Sequence, residues 1–172
     1  MMVMQETAPA QPTEPAVEDE LVRLATMPIP QLRIRYWEVF RTDPPKAFGP
    51  DLLRRSIAHQ IQEKAYGGLS RPVQRLLDHS WMRCLHDGVY ESVELLAEAS
   101  RLHPKVVRQA LRLAFLSPEV TSAILEGKQP AGLTLARVPK LLPLSWMEHR
   151  RLLGCPLNTD AIKRAKSPLA AP

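Results

Sequence analysis

Residues 91–116, ESVELLAEASRLHPKVVRQALRLAFL, decide how the rest of the chain is read. Apolar residues recur at helical spacing on both sides of Ser100-Arg101-Leu102, so the stretch reads as two short helices joined by a tight turn. Arg101, Lys105, Arg108 and Arg112 follow at intervals of four, three and four residues, which sets them along one helical stripe. No acidic residue lies between Arg101 and Leu116. Like charges at these spacings repel, so an isolated chain gains nothing locally from stacking them. A polyanion would turn the same stripe into binding energy, which points to nucleic acid.

Outward from this stretch, charge is unevenly placed. The chain has 172 residues, 45% of them hydrophobic, enough for one or two small domains with buried cores. Residues 1–20 contain five acids and no Lys or Arg, leaving all 23 bases against 13 of the 18 acids, a surplus of ten. A helical body with that balance suits an acidic partner. Two cysteines, Cys84 and Cys155, are too few for a disulfide framework. No apolar run approaches the length of a membrane span, and the first residues lack the basic and apolar regions of a secretory signal. A reducing cytoplasmic setting, without membrane association, is the expectation.

Turn and cap signals recur at helical distances along the chain. Residues 1–17, rich in Pro, Ala and acid, read as a disordered tail. Helix is expected from about Glu18, with Leu21, Leu24 and Ala25 inward and Pro28 as its stop. Pro30 suits the start of a second helix, with Leu32, Tyr36, Val39 and Phe40 on one face. Pro50 opens a third, lined by Leu53, Ile57 and Ile61 and closed by Gly67. Ser70 begins a short one carrying Val73, Leu76 and Leu77. Ser117-Pro118 and Gly127 bracket another, and Ser145 and Gly154 bracket the last. No segment alternates as a strand would. The fold class expected is all-α, in two small units over residues 18–85 and 86–156 that meet near His86-Asp87-Gly88, followed by a loose basic tail over 157–172.

Within the second unit the pattern is that of a helix-turn-helix. Ala97 takes the crossing position, Leu102 the turn, and Val107, Ala110 and Leu111 the inner face. Pro104 fits the first position of the second helix. His103, Lys105, Arg108 and Gln109 are then the groove-facing residues, since Arg and Gln can each form two hydrogen bonds to a base edge. Arg101 and Arg112 read as phosphate contacts. The glycine usual before the apolar turn residue is replaced by Arg101, which requires either a left-handed backbone or a modified turn.

Residues 93–154, with LAFLSPEV, ILEGKQP, LPLSW and RRLLG, resemble the C-terminal tail of certain large serine recombinases and the helix-turn-helix of ParB-type partitioning proteins. Residues 20–78, with LVRLATMPIPQLRIRYWEVFRTDPP and AYGGLS, resemble a phage-associated domain family of unknown function. Its members are typically encoded beside serine recombinases. The two resemblances imply a double-stranded-DNA-binding accessory protein of a mobile element, bacterial and nucleoid-associated, with a serine recombinase as companion. The recombinase's own Tyr-x-Arg-x-Ser pattern is absent, so no enzyme activity is expected.

Other residues carry less. His79, Cys84 and His86 lack the paired spacing of a four-ligand zinc site, so neither metal nor cofactor is expected. Tyr36 and Phe40 read as core, Trp37 as exposed, and Arg54 and Arg55 as a solvated face. Trp146 is expected to anchor its helix to the helix-turn-helix, with His149, Arg150 and Arg151 on the opposite face. No heptad run supplies a dimer interface. The alternative reading is a module that docks on a protein partner through the basic stripe, without touching DNA.

Overall fold

The computed structural model describes residues 13–69, 81–131, 133 and 142–154. Among these the chain is entirely helical, with no strand. The order is α1 (Glu14–Thr26), α2 (Ile29–Phe40), α3 (Pro50–Tyr66), α4 (Trp81–His86), α5 (Val93–Ala99), α6 (Pro104–Leu113), α7 (Pro118–Leu125) and α8 (Trp146–Leu153). The short helix expected after Ser70 and the basic tail from residue 157 lie outside the described residues, as do residues 1–12 of the acidic tail.

Helix α1 starts a full turn before Glu18. Glu14 and Pro15 occupy its first turn, where an acid meets the positive end of the helix and proline forfeits no bond. Val17, 1% exposed, joins Leu21 and Leu24 in the core, while Ala25 faces solvent. The apolar stripe therefore runs 17, 21, 24, and the tail is correspondingly shorter than its composition implies.

Pro30 sits in the first turn of α2, which buries Leu32 and Tyr36. The Tyr36 and Phe40 rings stack with centroids 4.3 Å apart, and Phe48 meets Tyr36 edge-on. Trp37 is 48% exposed as its register implies, with the Arg41 guanidinium 5.4 Å from its ring centroid. Helix α3 buries Leu53 and Ile57 and ends at Gly67, whose φ of 92° a side chain would resist.

The basic pair on α3 is not a solvated face. Arg54 donates to the carbonyls of Leu24 (3.1 Å) and Met27 (2.9 Å), tying off the end of α1. Arg55, only 4% exposed, donates to Leu142 O (2.7 Å), Pro143 O (3.5 Å) and Asp51 Oδ1 (3.2 Å). A guanidinium buried this way is kept charged by carbonyls and a carboxylate that local sequence does not reveal. Gln62, fully buried, donates to Ala58 O and Leu144 O and accepts from the Trp146 N–H at 2.7 Å.

These bonds fix α8. Ser145 caps it, and its hydroxyl also donates to Glu18 Oε1 of α1 (2.9 Å). Trp146 packs on α3, edge-on to His59 with centroids 5.1 Å apart, and so anchors α8 to that helix. His149 is 1% exposed, with Nε2 2.9 Å from Pro143 O, and Arg150 is half-buried near Glu119. Only Arg151 of that trio faces solvent.

One buried cluster runs from Val17 through α1–α3, Leu85 of α4, Val93, Leu96 and Ala97 of α5, and Val107, Leu111 and Phe115. The two units expected on either side of His86 thus share a core. The turn is present, with Gly88 at a φ of 74°, but it does not separate two cores.

Candidate functional site

The basic stretch is built on α5 and α6. Ser92 caps α5 by accepting from the Leu95 N–H (3.2 Å). The helix closes through Ser100 N–H to Leu96 O (3.0 Å) and Leu102 N–H to Ala97 O (2.9 Å). Between these bonds Arg101 adopts a φ of 54°, the left-handed conformation that a missing glycine demands. Ala97 is buried where the two helices meet, and Val107 and Leu111 face the core. Leu102 sits in the turn, as expected, and is 41% exposed.

The six residues read as the site have different surroundings. Arg101 and Lys105 are exposed and, among the described residues, have no ion-pair partner. Arg108 is also exposed, and its guanidinium pairs with Glu94 of α5. His103 caps α6, its Nδ1 accepting from the Lys105 N–H at 3.1 Å. That bond leaves Nε2 as the ring's protonated nitrogen and gives His103 a local task besides any outward one. Gln109 is half-buried. Arg112 points inward, its Nε 2.9 Å from Asp51 Oδ2 on α3.

The charge logic changes accordingly. Asp51 accepts from Arg55 with one oxygen and from Arg112 with the other, joining α6 to α3. Burial lowers the Arg55 pKa, opposed by Asp51 and reinforced by the charge of Arg112. Arg112 is therefore part of the framework, in contrast to the phosphate contact expected of it. Glu94 and Asp51 stand 14 and 61 residues from their partners, so the local run of bases could not announce them. The outward face keeps Arg101 and Lys105, plus Arg108 in an exchangeable surface pair, since exposed pairs contribute little.

A family model described as "Protein of unknown function (DUF2924)" matches residues 18–105, about half of the chain. The chain belongs to the DUF2924 family. No curated protein and no solved structure matches it. The DUF2924 match begins within α1 and crosses the His86 turn without a break, in keeping with the shared core. It ends at Lys105, taking in Arg101 and His103 but not Arg108, Gln109 or Arg112. No helix among the described residues is long and apolar enough to cross a membrane, and no group of His, Cys, Asp or Glu among them is arranged to hold a metal. His79 of the set-aside metal motif lies outside those residues.

Proposed function

We propose that this DUF2924 chain binds double-stranded DNA through the α5–turn–α6 unit, as a non-enzymatic accessory of a mobile element acting with a serine recombinase at the bacterial nucleoid. The observation that carries the reading is the division of α6. Val107 and Leu111 are buried, while Lys105 and Arg108 project from the exposed side, flanked by Arg101 in the turn. A short helix held from behind, with its N-terminal half outward, is the arrangement a helix-turn-helix uses in the major groove. The ten-charge surplus beyond residue 20 supplies the long-range attraction. Arg101 and Lys105 are the phosphate contacts in this reading, and Arg108 and Gln109 read bases once Arg108 leaves Glu94. The mobile-element setting and the recombinase rest on the resemblances of residues 20–78 and 93–154.

A second reading has its own support. Leu95, Leu102 and Val106 are 46%, 41% and 50% exposed on the same unit, an apolar component that suits docking on a protein. Duplex binding followed by fluorescence anisotropy across a salt series separates the two. For DNA binding, Arg101→Ala and Lys105→Ala each make the slope of log affinity against log salt shallower by about one. Arg112→Ala lowers stability and leaves the slope alone. A wild-type protein that fails to bind duplex, or slopes indifferent to Arg101 and Lys105, would overturn the DNA reading in favour of docking.

A further inference from the structure

A cavity of about 470 Å³ opens between α2, α3 and α4, within the size range of small-molecule sites. Its walls are aromatic: Tyr36, Phe40, Phe48 and Phe115. One face of α3 supplies its polar groups. Ser56, His59 and Gln60 lie at i, i+3 and i+4, the spacing that brings side chains to the same side of a helix, and all three line the cavity.

These three side chains have an unusual status. Ser56 is only 8% exposed, and His59 is largely buried. Among the described residues, none of the three forms a side-chain hydrogen bond. Elsewhere on α3 the buried polar side chains Arg55 and Gln62 are bonded several times over. None of their polar atoms is sealed from solvent, so the hydroxyl, imidazole and carboxamide remain open to the cavity and available to pair with a ligand.

The groups present are uncharged. A hydroxyl and a carboxamide have no charge, and burial holds the His59 imidazole in its neutral form, so each of the three can both donate and accept. Among the described residues, the charges at the rim are Arg83, His86 and Asp87, and Asp87 pairs with both of the others. An anion or cation inside would leave its charge unmatched. Flat aromatic walls with neutral donors and acceptors on one side fit a flat ring with mixed donors and acceptors on its edge.

We infer that this cavity is a binding site for a small, uncharged, planar heteroaromatic molecule of purine-nucleoside size, recognised at its edge by Ser56, His59 and Gln60. The site stands apart from the α5–α6 surface, and its test uses the protein without DNA.

Adenosine serves as the probe, titrated into the full chain and followed by saturation-transfer NMR, with 1-naphthol as a mainly apolar competitor. The expected result is saturable adenosine binding with Kd below about 1 mM. Ser56→Ala and Gln60→Ala each weaken it by about fivefold or more, the equivalent of one lost hydrogen bond. Thermal melts establish that the variants are folded. Gln60 is half-exposed, so Gln60→Ala decides the matter alone if Ser56→Ala does not fold. Absence of adenosine binding by the wild type up to about 5 mM overturns the proposal. So does binding that both variants leave unchanged, or that 1-naphthol matches without sensing either substitution, because the cleft would then be merely apolar.

Discussion

Lowering the pH from 7.5 to 5 should destabilise this protein through one histidine. His59 lies between Phe115 and Trp146, and burial, then the proximity of His149, brings its pKa down from 6.5 to about 4. The sign follows from proton linkage. The unfolded chain takes up the proton near its ordinary value, while the folded chain takes it up only near 4, so acid favours unfolding. Stability is intact above about 6.5 and falls progressively toward 4. The full shift corresponds to about 3 kcal/mol, of which about 2 kcal/mol is lost by pH 5. His149, also depressed chiefly by burial, acts in the same direction. Glu63, whose pKa burial raises, acts in the opposite one, because the folded state then holds its proton more tightly. Urea denaturation at the two pH values, on the wild type and His59→Gln, isolates the imidazole, since every other group is common to both. The variant should lose about 2 kcal/mol less than the wild type between pH 7.5 and 5. Equal losses would refute the reasoning and mean that His59 titrates normally in the folded state.

Two further substitutions probe the framework. Gln62→Ala removes three hydrogen bonds in a fully buried place and leaves the Trp146 N–H and Leu144 carbonyl unpaired. It should cost about 3 kcal/mol in urea denaturation, against about 0.5 kcal/mol or less for Gln60→Ala on the same helix. At Arg101, glycine should be tolerated or stabilise by up to about 1 kcal/mol, since relief of a left-handed residue outweighs the chain entropy glycine adds. Arg101→Val should destabilise by about 1–2 kcal/mol, because a β-branched residue resists that conformation. Thermal melts of the two proteins compare them, and equal melting temperatures would argue against a left-handed turn.

Much of the fold was legible because helix ends are written in local chemistry. Ser117, Ser145, Pro50, Pro118, Gly67, Gly127 and Gly154 act within a few residues of themselves, and each marks a boundary or cap near its expected place. The start of α1 was missed because Pro15 resembles tail composition, although Val17 extends the same apolar stripe. Arg101 announced its own backbone by standing where a glycine belongs.

The sequence by itself determined the helical class, the terminators, the inward stripe of Val107 and Leu111, and the exposure of Trp37. Each depends on periodicity or on contacts within about one turn. Tertiary structure decided which charges are free. Arg55 reaches a carbonyl 87 residues away, Arg112 a carboxylate 61 residues away, and Gln62 a backbone N–H 84 residues away. It also joined the two expected units through a shared buried cluster and paired part of a uniform basic stripe with carboxylates, Arg108 at the surface and Arg112 against α3. Local spacing says where a side chain points around its helix. Which partner waits there depends on how distant helices pack, and that lies beyond the reach of any local pattern.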